Sequence, residues 1–147
     1  MLPVFIEPDW IMDVDAQTRD ELLDQMMGRL APAIKGVPQG RLLQAILLRE
    51  KQCPTVVSEQ LAVPHAKIPG LTAFYAAMAR CKSGVEFAPN KRVKTVCLLL
   101  GPDKAQKQYL ELLASILRLF QDKGQKVGSA DLRQLHRMLV SAAEAKR

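Results

Sequence analysis

Val93-Lys94-Thr95-Val96-Cys97-Leu98-Leu99-Leu100-Gly101-Pro102 decides the class of this chain. The segment is rich in β-formers and largely apolar, so it reads as a strand that ends in a turn at Gly101-Pro102. Upstream, Leu71 to Arg80 fits helix or strand by periodicity. Its aromatic and small residues, bracketed by Gly70 and Gly84, favour strand. Further back, Thr55-Val56-Val57 and Leu61-Ala62-Val63-Pro64 read as two very short strands or extended pieces joined by Ser58-Glu59-Gln60, which leaves His65 just beyond a strand end. Helical patterns lie on both sides of this patch. Leu22, Leu23, Met26, Met27 and Leu30 recur at helical spacing after Ala16, with the early acids Asp20, Glu21 and Asp24 suiting the helix dipole, up to Lys35-Gly36. Leu42, Leu43, Ile46 and Leu47 mark a second helix over about Gln39 to Lys51, stopped by Cys53-Pro54. Downstream, Leu110, Leu113, Ile116, Leu117 and Phe120 predict a helix over Lys104 to Phe120. A loop follows at Gly124 and Gly128, and a last helix runs from Asp131 to Ala143 with Leu132, Leu135, Leu139 and Val140 inside. Met1 to Trp10 is expected to be a short extended lead-in. The order predicts one α/β or α+β domain, a sheet covered by helices, with its core over about residues 4 to 140 of 1 to 147.

Composition narrows the functional classes. The chain has 147 residues, 48% of them apolar and 24% charged, enough for a core without a disulfide scaffold and too apolar for disorder. Net charge is +6, from 21 basic and 15 acidic side chains. Residues 1 to 40 carry 3 basic and 7 acidic groups and the remainder 18 and 8, so the positive charge belongs to the later part of the chain. Aromatic residues do not interleave with it, which argues against stacking on single-stranded nucleic acid, and Lys91, Arg92 and Lys94 read as a solvated turn. Cys53, Cys81 and Cys97 and the two histidines, His65 and His136, have no metal-ligand spacing, so neither metal nor cofactor is expected. No basic leader with a cleavage site opens the chain, and no apolar stretch approaches the roughly 20 residues of a membrane span. A cytoplasmic location with reduced thiols, and no membrane insertion, is expected.

The segment Leu61-Ala62-Val63-Pro64-His65-Ala66-Lys67 carries the chemistry. Pro64 fixes the approach of the chain and Ala66 leaves the imidazole uncrowded, so His65 is available as nucleophile, base or ligand near neutral pH. Arg49-Glu50-Lys51, Thr55 four residues beyond Lys51, the segment 61–67, Val85-Glu86-Phe87, Val96 to Leu100 and Tyr109-Leu110-Glu111-Leu112-Leu113-Ala114 resemble, in order and spacing, the enzyme IIA domains of the bacterial phosphotransferase system. The likeness is to the fructose/mannitol type and its nitrogen-regulatory relative, and it spans nearly the whole chain. It implies a mixed β-sheet flanked by helices. It also implies that His65 accepts a phosphoryl group from a histidine-containing phosphocarrier protein, and passes it to a downstream IIB component or holds it as a signal to a regulated protein. By the same resemblance Arg49 lies beside that histidine and steadies the phosphoryl charge, a role suited to a planar, permanently charged fork.

Two departures stand out. Where family members carry a second histidine this sequence has Tyr109, which can donate a hydrogen bond but cannot be a cation. The segment after Thr55 lacks the family's usual glycines, with Val57, Ser58 and Glu59 instead, so a stiffer loop is expected beneath His65. A second reading follows from Tyr109: a regulatory protein-binding module with the same fold and no dependence on phosphorylation. Ala62, Pro64, Ala66 and Pro69 are expected to form a small-residue collar around His65, with Arg49, Lys51 and Lys67 attracting an acidic partner surface. Other candidates read as structure. His136 is expected to be a partly exposed helical residue and Met26-Met27 core packing, while Glu50 and Glu59 are expected to pair with neighbouring cations.

Overall fold

A computed structural model of the chain describes residues 1–58 and 60–144. Two long strands, β5 (Phe74–Ala88) and β6 (Lys91–Gly101), form an antiparallel hairpin at the centre of the sheet. Asn90 takes a positive φ of 61° in the turn between them, as its short polar side chain permits. The short strands β1 (Val4–Phe5) and β2 (Ile11–Asp13) add in parallel to the outer side of β5. On the other edge β3 (Leu61–Ala62) and β4 (His65–Lys67) add in parallel to β6. The sheet is therefore mixed, as expected.

Both faces of the hairpin are covered. Alternation along β6 sends Val96, Leu98 and Leu100 toward α1 (Arg19–Leu30) and α2 (Gln39–Gln52), where they meet Leu22, Met26, Met27, Leu42 and Ile46. Cys97 and Leu99 point the other way, to Leu112, Ile116, Leu135 and Leu139 of α3 (Gln106–Ser129) and α4 (Leu132–Glu144). A strand packed on both sides reads as a continuous apolar run, which is why Val96 to Leu100 was legible.

Local signals set the helix ends. Thr18 caps α1 by accepting the Glu21 amide at 3.1 Å, and a reciprocal pair caps α4, with Asp131 accepting the Gln134 amide at 2.8 Å while the Gln134 side chain accepts that of Asp131 at 3.0 Å.

Several expectations are corrected. Thr55-Val56-Val57 is not a strand; only Val56 bridges, antiparallel, to Ala62. His65 lies past the end of β3, as expected, but itself opens a further strand, β4. The strand expected over Leu71 to Arg80 continues to Ala88, because Gly84 (φ 76°) sits at a register shift within it instead of ending it. Gly124 and Gly128 lie inside α3, whose helical geometry breaks only at Lys123. Leu110, Leu117 and Leu132 are exposed, and Val140 is half-buried. Glu59 falls outside the described residues.

Candidate functional site

The edge strand β4 is flanked by α2 on one side and α3 on the other, and an open cleft of about 460 Å³ lies between them. Its lining brings together Arg49 from α2, His65 and Lys67 from β4, and Tyr109 and Leu110 from α3. Ala66 turns into the α1/α2 core, so the period-two alternation leaves His65 and Lys67 on the other side of β4. Lys51 is exposed but does not line the cleft.

His65 is half-buried, and its Nδ1–H donates to the Val63 carbonyl at 2.8 Å. A carbonyl can only accept, so that nitrogen carries the proton and Nε2 keeps its lone pair. Burial lowers the pKa of the imidazole below its ordinary 6.5; the Val63 carbonyl and the Glu50 charge oppose this, whereas the Arg49 and Lys67 charges add to it. The neutral ring, which keeps its lone pair, is therefore favoured more at pH 7 than in a free imidazole. A titration of the His65 Cε1–H resonance is expected to show a midpoint below 6.5, with Arg49, Glu50, Lys67 and Tyr109 as the facing groups. A midpoint at or above 6.5 would contradict this account of the site.

Arg49 is anchored by its Nη1–H, which donates to the Cys53 carbonyl at the end of α2 at 2.9 Å. This leaves the rest of the fork near the cleft. Tyr109 packs edge-on against His65, with ring centroids 5.8 Å apart, and also edge-on against Phe74 at 6.1 Å. Lys67 Nζ stands 5.5 Å from the centre of the Tyr109 ring, within range of a cation–π attraction. Burial pushes the Tyr109 hydroxyl above its ordinary pKa, against the pull of Arg49, so it stays protonated. That hydroxyl is buried and has no hydrogen-bond partner among the described residues. An orphaned donor of this kind costs about 1–3 kcal/mol.

Gly101, where β6 ends, makes room for these rings. A Cβ there would lie 2.5 Å from the Phe74 ring and 3.3 Å from that of Tyr109. Gly101→Ala is expected to destabilise the fold by roughly 1–3 kcal/mol, read as a lower denaturation midpoint, and to shift the His65 resonances through Tyr109. An unchanged midpoint would show that the rings yield without cost.

Some functional features escape sequence reading. Ala62, Pro64 and Ala66 are buried, so they are not a surface collar; the apolar rim is Leu48 and Leu110, 58% and 54% exposed. Glu50 is buried and bonds Thr55 rather than a cation, accepting its amide at 3.1 Å and its hydroxyl. Its signal was the glutamate after Arg49 with a threonine just past Cys53-Pro54. His136 is half-buried and held by structure, its Nε2–H donating to the Ile6 carbonyl at 2.6 Å. Arg92 turns back to the Gly84 carbonyl at 2.9 Å. Among the described residues no group of three or more His, Cys, Asp or Glu side chains gathers to hold a metal ion, and no helix is long and apolar enough to cross a membrane.

Residues 5–131 match the family described as phosphoenolpyruvate-dependent sugar phosphotransferase system, EIIA 2. The chain belongs to that family. It is 32% identical over 101 residues to a nitrogen regulatory protein of Bradyrhizobium diazoefficiens, a match that covers 67% of this chain and 66% of that protein. Two solved structures share the fold. The nitrogen regulatory protein IIA-Ntr of Neisseria meningitidis superposes with a TM-score of 0.84 at 20% identity, over 91% of this chain and 95% of that one. The mannitol enzyme IIA of Escherichia coli, solved in complex with phosphorylated enzyme IIB, superposes with a TM-score of 0.74 at 16% identity, over 94% and 99%. The EIIA-type domain is thus placed with relatives of the nitrogen-regulatory kind, on the same α/β architecture.

Proposed function

We propose that this EIIA-type domain accepts a phosphoryl group on Nε2 of His65 from a histidine-containing phosphocarrier protein, and either passes it to a IIB component or holds it as a signal to a regulated protein. The observation that carries the reading is the His65 imidazole itself: neutral, tied at Nδ1 to a carbonyl, and set in a cleft with two cations.

The Nε2 lone pair attacks phosphorus as the P–N bond of the carrier breaks, and the electron pair of that bond returns to the carrier's ring nitrogen. The His65 ring gains positive charge while keeping its Nδ1 proton, and the Val63 carbonyl stabilises that charge. Arg49 and Lys67 offset the phosphoryl oxygens as they approach. Tyr109 stays uncharged and supplies a phenol where the family carries a second histidine. Leu48 and Leu110 form the apolar rim on which a carrier docks. The regulatory branch is supported by the likeness to nitrogen regulatory proteins, and a cytoplasmic location is part of the same proposal.

The test is incubation of the protein with the phosphocarrier, its kinase and phosphoenolpyruvate, followed by intact mass measurement. The expected result is a gain of one phosphoryl group that is lost in acid. No gain with the cognate carrier overturns the proposal. The orphaned Tyr109 hydroxyl would then favour the second reading, a binding module independent of phosphorylation.

A further inference from the structure

We propose that Glu50 is a positioning residue for His65, acting through Thr55 and Val63 to hold the imidazole with Nδ1 protonated and Nε2 bare. The consequence for phosphoryl transfer rests on His65 being the acceptor; the positioning itself does not.

Glu50 is 2% exposed on the inner side of α2. A buried carboxylate is costly unless its oxygens are satisfied, and an aliphatic side chain would fill the same space without that cost. Among the described residues Glu50 makes no ion pair. Both oxygens go to Thr55, one accepting its amide at 3.1 Å and the other its hydroxyl. Thr55 lies just beyond Cys53-Pro54, in a segment without regular structure, so these two bonds are what fix it against α2.

The fixed Thr55 then holds the strand region that carries the histidine. Its carbonyl accepts the Val63 amide at 3.0 Å, and the Val63 carbonyl accepts His65 Nδ1–H at 2.8 Å. Two neighbouring contacts keep the segments in register: the Val57 amide donates to the Leu61 carbonyl at 3.0 Å, and Val56 bridges to Ala62. Val63 precedes Pro64, whose ring limits the backbone of the residue before it, so the carbonyl that chooses the His65 tautomer has little freedom once Thr55 is placed. The chain Glu50, Thr55, Val63, His65 runs from the helix core to Nδ1 of the imidazole, the nitrogen opposite the reactive Nε2, without touching the surface a carrier would use. Its terminal link sets which nitrogen is nucleophilic.

The test reads the tautomer in unphosphorylated protein by long-range 1H–15N correlation at the His65 ring, above its titration. Wild type is expected to show the Nδ1–H form. Thr55→Val removes the hydroxyl at nearly constant size, and Glu50→Leu removes the acceptor. Thr55→Val is expected to raise the Nε2–H population roughly tenfold, the effect of one lost hydrogen bond, and Glu50→Leu, which removes both bonds to Thr55, at least as much. Each should also lower kcat for phosphoryl uptake in proportion to the Nδ1–H fraction that is lost, with KM for the carrier unchanged. Thr55→Ser keeps the hydroxyl and is expected to behave as wild type. Glu50→Gln keeps an acceptor oxygen, so it should preserve the tautomer. It loses the charge, and the His65 titration midpoint should move further down.

A fall in melting temperature in Thr55→Val with tautomer and kcat unchanged would reduce the chain to a structural role and overturn the proposal. If Glu50→Leu fails to fold, the Thr55 pair and Glu50→Gln still decide. If wild type takes up no phosphoryl group, the acceptor reading fails, whereas the tautomer measurement still tests the positioning.

Discussion

His65→Ala is expected to abolish acid-labile phosphorylation completely, not merely slow it. No neighbouring side chain can replace the nucleophile: Tyr109 keeps its proton because burial raises its pKa, and the cleft's other polar groups are the cations Arg49 and Lys67 and the amides Gln52 and Gln106. The variant should fold, because His65 is half-buried at an open edge strand and its removal leaves only the Val63 carbonyl without a partner. A melting temperature close to that of wild type, together with no phosphoryl gain in intact mass, is the expected pair of results. His65→Gln serves as the check on shape, since it restores a polar group of similar reach without the ring nitrogen. Retained phosphorylation in His65→Ala would move the acceptor elsewhere and overturn the reading of this site.

Arg49→Ala is expected to slow phosphoryl uptake by about 100-fold, the usual scale for removing one fixed donor or charge that faces a developing anion. The side chain is already in position: one N–H is held by the Cys53 carbonyl, so little conformational freedom is lost when phosphate arrives. Lys67 remains on the same cleft and sets a floor beneath the loss. Arg49→Lys should recover only part of the rate, because an ammonium cannot bond Cys53 and present a second donor in the same plane. The substitution also removes a charge that depresses the His65 pKa, so the titration midpoint in Arg49→Ala should move upward. Uptake within twofold of wild type would assign Arg49 to helix termination instead of to the phosphoryl group.

The two substitutions bear on different layers of the molecule. His65 and Pro64 are adjacent in sequence, and a motif so short needs no fold to be noticed. Arg49 and Tyr109 were legible only by resemblance, because nothing in local periodicity says that the end of α2 and the start of α3 flank one edge strand. The departures are just as specific. Thr55-Val56-Val57 has strand composition, but its backbone is claimed by Glu50 and by a single bridge to Ala62, which is a tertiary override of propensity. Gly124 and Gly128 look like a loop, but the chain only kinks at Lys123 and then resumes helix through both glycines, where Val127 is buried against the sheet and the Val127 and Ala130 carbonyls accept the Arg80 guanidinium at 2.9 and 2.7 Å. Of the small residues expected as a collar beside His65, Ala62, Pro64 and Ala66 are buried in the folded chain and Pro69 alone is exposed, while leucines from two helices stand at the rim.

The positive charge has a similar history. Counted along the chain it belonged to residues 41 to 147, a division that does not distinguish site from scaffold. In space, Arg49 and Lys67 face the cleft, Arg80 is spent on Asp13 at 2.8 Å and on the end of α3, and Arg92 on its own hairpin.

Residues close together in the chain, read alone, establish a central apolar strand pair, four helical stretches with some of their stop signals, and a histidine made accessible by the proline before it, since propensity and periodicity act over a few residues. Folding adds what depends on distant partners: the edge position of β4, the convergence of Arg49, Lys67 and Tyr109 on His65, the burial of Glu50, and the Val63 carbonyl that selects the nitrogen left free. Those features arise from sheet pairing and from which face of each helix is covered. No short stretch of sequence contains that information.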